Sequence, residues 1–264
     1  MRLRLLRHAT LLVQFGDIRL LIDPMLDPAG TRPAVPETPN PRPNPLVALP
    51  VQPLDAVAGV SATLVTHLHG DHFDRTALGV VPRDRPVLCQ PRDQPMFVRA
   101  GLQATTFDGM TELGPLRITR TTGQHGTGAI GKEMGDSSGY VIAADGEPTV
   151  YIAGDTVWCD EVQDAITTHE PAVIVVNAGA ARFIHGDPIT MDVPDVVATC
   201  NAAPDALIVA VHMEAMNHCG LDRAGLRAAM DAAGLAGRVA TPADGETLEL
   251  SFGQVAVNSP LQSG

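Results

Sequence analysis

One run of eleven residues constrains this chain more than any other feature: Leu-Val-Thr-His-Leu-His-Gly-Asp-His-Phe-Asp at positions 64–74. It contains the pattern His-x-His-x-Asp-His, which places His67, His69, Asp71 and His72 within six residues. The β-branched and apolar residues before it predict a short strand, and Gly70 permits a tight turn after that strand. Imidazoles and a carboxylate at this density are the ligand set of zinc, manganese or iron. Because a strand followed by a turn sends side chains towards two neighbouring points, the run can supply two metals.

Composition and charge narrow the class of protein. The chain has 264 residues, 45% hydrophobic and 18% charged, which is typical of a soluble globular protein with a sizeable core. A formal net charge of −12 without any Lys/Arg cluster argues against a nucleic-acid partner. Four cysteines without Cys-x-x-Cys spacing predict reduced thiols in a cytoplasmic protein. The sequence shows neither a signal-peptide pattern nor eighteen consecutive apolar residues, so we expect no membrane span.

Three more residues of metal-ligand type follow predicted strands. The strand Leu116–Thr122 leads to His125, which stands next to Gly126. The strand Thr149–Ile152 leads to Asp155, and the apolar strand Ala206–Val211 leads to His212. Because a side chain directly after a strand lies at the edge of a sheet, we expect His125 to be a metal ligand, and the carboxylate of Asp155 can reach between two cations.

The proline-rich segment 28–53 cannot form a helix or a central strand and is too long for an ordinary connection. It is either a disordered insertion or an ordered flap over a pocket, and apolar anchors such as Leu46 and Val51 favour the flap. Its Arg32 and Arg42 would either meet an anionic substrate or remain solvated surface charges.

The order of elements predicts the architecture. Strands predominate in the first half, where Gly16-Asp17 predicts a hairpin turn, and strands alternate with helices in the second half. The strand Ala172–Val176 is apolar throughout, which predicts burial of both faces. The glycine-rich segment 126–138 is expected to be flexible. The pattern therefore favours two sheets with helices packed outside them.

The chemistry-bearing residues together resemble the metallo-β-lactamase superfamily of metal-dependent hydrolases. The match consists of the histidine run followed in order by His125, by Asp155 in Ala-Gly-Asp-Thr, and by His212. Within the superfamily the chain looks most similar to the branch that includes L-ascorbate-6-phosphate lactonase. The stretches that carry this similarity are Arg7-His8-Ala9-Thr10, Leu21-Ile22-Asp23-Pro24-Met25 and His212-Met213-Glu214-Ala215-Met216-Asn217-His218.

The resemblance implies a four-layer αβ/βα sandwich, formed by a single α/β domain over residues 1–264, with the site at one edge. It implies one or two divalent ions, zinc or manganese with iron also open. The implied ligands are His67, His69 and His125 for the first ion, Asp71, His72 and His212 for the second, and Asp155 between them.

The expected reaction is opening of a lactone, or of a similar ester or cyclic carbonyl of a small molecule, by a metal-bound hydroxide. Asp71 is suited to orient that hydroxide and to move its proton. His185 and His218 would donate hydrogen bonds to an oxyanion, or else be ordinary loop or core residues.

Two other functions stay open at this point: a phosphodiesterase acting on a small molecule or phospholipid, and a non-catalytic metal-dependent binding or sensing protein. The roles of His8, Lys132 and Trp158 and the oligomeric state also stay open, with a homo-oligomer among the alternatives. Cys219 is expected to be a buried thiol.

Overall fold

In a computed structural model, which describes residues 1–251, the strands form two seven-stranded sheets that face each other. The first sheet contains β1 Arg2–Arg7, β2 Thr10–Phe15, β3 Ile18–Ile22, β4 Ala62–Val65, β5 Pro86–Cys89, β6 Gln103–Thr105 and β14 Thr247–Glu249. The second contains β7 Met110–Leu113, β8 Leu116–Gln124, β9 Asp136–Ala143, β10 Val150–Ile152, β11 Val173–Asn177, β12 Leu207–Val211 and β13 Val239–Ala240. Their spatial orders are β14-β1-β2-β3-β4-β5-β6 and β13-β12-β11-β10-β9-β8-β7.

Residues 1–251 contain seven α-helices, six of which pack on the outer faces of the sheets. They are α1 Pro53–Val57, α2 Arg75–Val80, α3 Gln94–Arg99, α4 Gly128–Met134, α5 Asp160–His169, α6 Val193–Ala202 and α7 Arg223–Ala232, with a 3-10 turn at Ala236–Arg238. The first three helices pack on the first sheet and the last three on the second. The result is the predicted αβ/βα sandwich. Within residues 1–251, no helix combines the length and the apolar character that crossing a membrane requires.

The apolar core between the sheets follows from the alternation of side chains along each strand. Leu3 and Leu5 of β1 face Val173 and Val175 of β11 across this layer, and all four are at most 1% exposed. The five residues of β11 and the five of β12 are all buried, because each of these parallel strands has a sheet on one face and helices on the other. The prediction that such apolar strands are buried on both faces is therefore confirmed.

The first hairpin turn lies where the sequence predicts it, and Asp222 caps the helix that the sequence predicts from Asp222 to Ala233. β2 and β3 pair from Phe15 opposite Ile18, and Gly16 in the turn between them has φ +52°. Asp222 caps α7 by accepting a hydrogen bond of 2.7 Å from the backbone N–H of Gly225. Such a bond satisfies one of the backbone donors that every helix start leaves unpaired.

The segment 126–138 is more regular than expected. It contains α4, and β9 begins at Asp136. The glycines there permit close packing: a Cβ on Gly131 would lie 2.4 Å from the carbonyl oxygen of Gly126. The helix α1 and the strand β7 were not predicted from the sequence. The sequence also predicts a last strand over 247–252; in the structure β14 ends at Glu249, and Phe252 lies outside the described residues.

Candidate metal centre

Strands from both sheets end at one edge and deliver the candidate site. In the first sheet β1, β3 and β4 run in one direction, because β2 is antiparallel to β1 and β3 while β4 is parallel to β3. In the second sheet β10, β11 and β12 are parallel, and β8 shares their direction through the antiparallel β9. The residues at or just after these strand ends converge at one place: His8, Asp23, His67, His69, Asp71, His72, His125, Asp155, Asn177 and His212.

Three imidazoles form the first group of this site. His67 Nε2 lies 2.9 Å from His69 Nδ1, and His125 Nε2 lies 3.3 Å from the same atom. Nitrogens bonded to one zinc ion at about 2.0–2.1 Å lie roughly 3.0–3.5 Å apart. The three rings could therefore hold a single ion.

A second group lies directly beside the first. The Oδ2 atom of Asp71 is 3.3 Å from His8 Nε2 and 3.7 Å from His212 Nε2. The ligand-type atoms of His8, Asp71, His72 and His212 all lie within 4.8 Å of one another, and all four residues are buried. This group could hold a second ion.

Asp155 lies between the two groups. Its Oδ2 is 3.5 Å from His125 Nε2 of the first group and 3.2 Å from His72 Nε2 of the second. Its Oδ1 is 3.4 Å from His212 Nε2 and accepts a hydrogen bond of 2.6 Å from the side-chain amide of Asn177. This carboxylate is in position to contact ions at both places.

Hydrogen bonds orient the imidazoles from outside. The ring nitrogens that face away from the centre pair as follows: His72 Nδ1 with Asp23 Oδ2 at 2.8 Å, His67 Nδ1 with Thr66 Oγ1 at 3.0 Å, and His125 Nδ1 with the Ile189 carbonyl oxygen at 2.8 Å. Each pair places the ring proton on Nδ1. Nε2 is then the unprotonated nitrogen that faces the centre and can bind a metal, which is the arrangement that metal-binding histidines use.

Burial and neighbouring charges set the protonation of the site. Burial, reinforced by the neighbouring His72 ring, holds the pKa of His67 well below its usual value, and burial lowers the pKa of His125. Burial alone would raise the pKa of Asp155, yet the imidazoles of His212 and His72 hold it well below its usual value. Conversely, the Asp155 carboxylate outweighs the burial of His212 and raises the pKa of that ring to about 10.

The donor set fits a divalent transition metal. The Nε2 atoms of His72 and His212 are buried and have no hydrogen-bond partner among residues 1–251, although both face Asp155. Buried polar atoms without partners are costly, and a cation at each position would satisfy them. Imidazole nitrogens with carboxylate oxygens suit zinc, manganese and iron.

The two candidate proton donors lie in different environments. His218 is 7% exposed, and its Nε2 is 3.8 Å from Asp71 Oδ2, so it borders the second group. His185 is exposed on the loop after β11, and within residues 1–251 its ring makes no hydrogen bond or ion pair with the two groups. The structure thus brings His218 to the site and leaves His185 at the surface.

Two residues contribute more than the sequence indicated. His8, whose role the sequence left open, is fully buried, and its ring centroid lies 3.6 Å from that of His212. Asp23, expected only to cap a loop, accepts hydrogen bonds from the backbone and hydroxyl of Thr66 and pairs with His72. Both have positive φ, +60° and +42°, and both follow strands that end at the site. His8 and Asp23 directly follow β1 and β3, and this position in the sequence could have predicted their place at the site.

The proline-rich flap packs against the edge that carries the site. The buried Arg7 guanidinium donates to the carbonyl oxygens of Met25, Asp27 and Val47 at 2.7, 2.9 and 3.1 Å. Arg32 donates to the Gly70 carbonyl oxygen at 2.5 Å, and its Nε lies 3.2 Å from Asp27, so this guanidinium is paired within the protein. A cavity of about 570 Å³ lies between the flap and the start of α2.

The remaining undecided residues are placed as follows. Trp158 packs against the apolar cluster on the outer face of the second sheet. Arg42 and Lys132 are exposed. Cys219 is half-buried rather than fully buried, and its Sγ lies 3.7 Å from His212 Nδ1.

A family model and the relatives of this chain point to the same family of proteins. The β-lactamase superfamily domain matches residues 18–213. The UPF0173 protein YddR of Bacillus subtilis is 37% identical over 94% of this chain and 99% of its own length. A UPF0173 metal-dependent hydrolase of Xanthobacter autotrophicus is 28% identical over 69% of this chain and 72% of its own length.

Among solved structures, an isothiocyanate hydrolase from Delia radicum gut bacteria superimposes with a TM-score of 0.90 and 36% identity. The match covers 95% of this chain and 100% of that one.

Proposed function

The chain belongs to the UPF0173 family of metal-dependent hydrolases in the metallo-β-lactamase superfamily, and from that premise we propose that it hydrolyses a small molecule at an electrophilic carbon atom in a two-ion centre. The observation that carries the proposal is the position of Asp155, whose carboxylate faces ring nitrogens of both groups at 3.2–3.5 Å. A carboxylate between two donor sets is the arrangement that a pair of ions about 3.5–4 Å apart requires.

The proposed ligands are His67, His69 and His125 at the first position, Asp71, His72 and His212 at the second, and Asp155 between them. Divalent ions there would lower the pKa of water to about 7 and polarise the substrate. The protein's own part is to hold these donors rigidly, through the hydrogen bonds of Asp23, Thr66 and Ile189.

Asp71 is the proposed orienting and proton-accepting group. Its side chain is 10% exposed, and its Oδ2 faces His8 and His212 at the second position. Burial alone would raise the pKa of this carboxyl, yet the facing imidazoles of His212 and His8 hold it well below its usual value. An ionised carboxylate at this place can align the attacking water and accept its proton.

His218, rather than His185, is our candidate donor to the substrate. Its Nε2 points to the same Asp71 oxygen from the edge of the site, whereas His185 is exposed on a separate loop. A ring N–H at that edge can stabilise charge that develops on a nitrogen, sulfur or oxygen atom of the substrate.

The substrate class we favour is an isothiocyanate, because the 36% identical isothiocyanate hydrolase spans nearly all of this chain. In that reaction the oxygen of water bonds to the central carbon of R–N=C=S, and protons from the same water pass to nitrogen and sulfur. In the resulting thiocarbamic acid the C–N bond breaks as the sulfur-bound proton moves to nitrogen, which releases an amine and carbonyl sulfide. The protein must therefore activate one water and donate towards nitrogen or sulfur.

Lactone opening is the second candidate, since it places the same water on a carbonyl carbon and breaks the ring C–O bond. The three stretches that resemble the ascorbate-6-phosphate lactonase branch, 7–10, 21–25 and 212–218, support it. All three border the metal centre in the structure, through His8, Asp23 and His212. Neither a phosphodiesterase nor a non-catalytic binding protein is favoured by the family, whose members are described as metal-dependent hydrolases.

The test is a substrate panel run on protein loaded separately with zinc, manganese or iron. Benzyl isothiocyanate, a γ-lactone and bis(p-nitrophenyl) phosphate represent the three chemistries, and the readouts are amine release, acid release and nitrophenol absorbance. We expect turnover of isothiocyanate first and of lactone second, in each case abolished by a chelator. Turnover of the phosphodiester alone would contradict attack at carbon, and a panel without any turnover by metal-loaded protein would contradict the proposal.

A further inference from the structure

His212 has an unfavourable backbone conformation. Its φ of +65° lies in the left-handed region, which residues with a Cβ rarely adopt. Its carbonyl oxygen lies 2.1 Å from the place that a Cβ on Gly179 would occupy, so only glycine fits at position 179. A residue in such a conformation persists when its surroundings hold it there.

One side chain contacts both the backbone and the ring of His212. The thiol of Cys219 donates to the His212 carbonyl oxygen at 3.3 Å, and its sulfur lies 3.7 Å from His212 Nδ1. An ion bound at Nε2 of His212 would leave the proton of the neutral ring on Nδ1, and this N–H would donate to the sulfur. The same sulfur thus meets the ring at Nδ1 and the backbone at the carbonyl oxygen.

The position of the sulfur is set by the backbone around it. Cys219 forms an isolated β-bridge with Ala181, and the backbone N–H of Cys219 donates to the Met216 carbonyl oxygen at 3.2 Å. Gly220 N–H donates to the Gly179 carbonyl oxygen at 2.9 Å. These bonds do not involve the thiol, so the loop can keep its path when the side chain is changed.

The remaining contact of the His212 ring is made by its face. The ring of His8 covers it at a centroid distance of 3.6 Å with an interplanar angle of 37°. A half-turn about the Cβ–Cγ bond leaves this face contact in place, so the contact does not choose whether Nε2 or a ring carbon points inward. The orientation of the ring is therefore set by the group that contacts Nδ1. Among residues 1–251 that group is Cys219.

We infer that Cys219 is a positioning residue for the second ion: its thiol fixes the ring of His212 with Nε2 inward, as Thr66, Asp23 and Ile189 orient the rings of His67, His72 and His125. The inference rests on the proposed two-ion function. It assigns a role to a thiol where the other three partners are oxygen atoms. Loss of such an outer partner typically weakens metal binding about 10–100-fold.

The experiment is a titration of metal-free protein with cobalt(II), followed by the visible absorption of the bound ion and by calorimetry. Cys219→Ala removes both interactions, Cys219→Val also removes them but fills the space, and Cys219→Ser keeps a donor and an acceptor. Cys200→Ala is the matched control, because this thiol is buried in the outer cluster of the second sheet. Circular dichroism verifies the fold of each variant.

We expect Cys219→Ala and Cys219→Val to bind the second equivalent of cobalt about 10–100-fold more weakly than the parent does. Their affinity for the first equivalent should stay within about threefold of the parent's. Cys219→Ser should recover most of that loss, and Cys200→Ala should match the parent. If the parent binds two equivalents and Cys219→Ala or Cys219→Val binds both as tightly, the role of Cys219 is refuted while the two-ion function stands. If the parent itself binds no second equivalent, the two-ion function fails first, and the inference fails with it.

Discussion

Removal of the Asn217 side chain should release the proline-rich flap. The amide oxygen accepts from the backbone N–H of Val35 at 2.9 Å and from the side chain of Asn44 at 2.6 Å. The amide nitrogen donates to Thr38 Oγ1 at 2.6 Å and to the Asn40 carbonyl oxygen at 2.8 Å. All four partners belong to the flap, and Asn217 is 2% exposed. One side chain therefore uses its full hydrogen-bonding capacity on this segment.

The size of the effect follows from these four bonds. A protein hydrogen bond contributes about 0.5–1.5 kcal/mol net, so four contribute roughly 2–6 kcal/mol. Water can reach part of the opened flap, so we expect Asn217→Ala to lower the free energy of flap opening by roughly 2–4 kcal/mol. Since about 1.4 kcal/mol is a factor of ten, the population of the open flap should rise about 30- to 1000-fold.

Hydrogen exchange followed by mass spectrometry measures this population directly. The reporter amides are those of Arg32 and Asn44, each of which donates to the carbonyl oxygen of the other at 2.8 Å within the flap. Exchange there should accelerate by the factor above, while exchange in β11 stays unchanged. Asn201→Ala is the control, because Asn201 is exposed at the end of α6. Exchange at Arg32 and Asn44 within about threefold of the parent would refute the claim that Asn217 holds the flap.

Three further predictions concern the centre and the core. Asp71→Asn should fold and keep the first ion, but its turnover at equal metal content should fall about 10²–10⁴-fold. The control, His169→Ala, should keep its turnover within about threefold of the parent. Leu64→Ala, at a site with no solvent exposure between the sheets, should lower the urea-derived free energy of unfolding by about 2–5 kcal/mol, and a loss below about 1 kcal/mol would contradict the packing described. Chelation should lower the melting temperature reversibly, because an ion present at a hundred times its Kd stabilises the folded state by about 2.7 kcal/mol; an unchanged melting temperature after verified metal removal would count against the centre.

Local chemistry of the chain determined most of the scaffold. The hairpin at Gly16 and the cap at Asp222 depend on neighbours in sequence, so their residues predict them directly. The burial of β11 and β12 follows from unbroken apolar runs. The histidine run 67–72 predicts ligand-type side chains after a strand because both the strand and the turn are local. The helix α4 was missed because its glycines are typical of flexible segments, although one of them, Gly131, packs closely against the backbone of Gly126.

The tertiary structure decided which distant residues complete the site. His8 meets Asp71 across 63 positions, and Asn44 meets Asn217 across 173. A pattern of residues cannot show such pairs, because they form only when segments far apart in the sequence meet at one edge of the folded chain. The same holds for Cys219, whose sulfur reaches His212 only because the backbone turns back on itself between them. The sequence therefore determined which side chains can bind metal, and the packing determined which groups orient them. The orientation depends on contacts between residues far apart in the sequence, which the preferences of neighbouring residues do not encode.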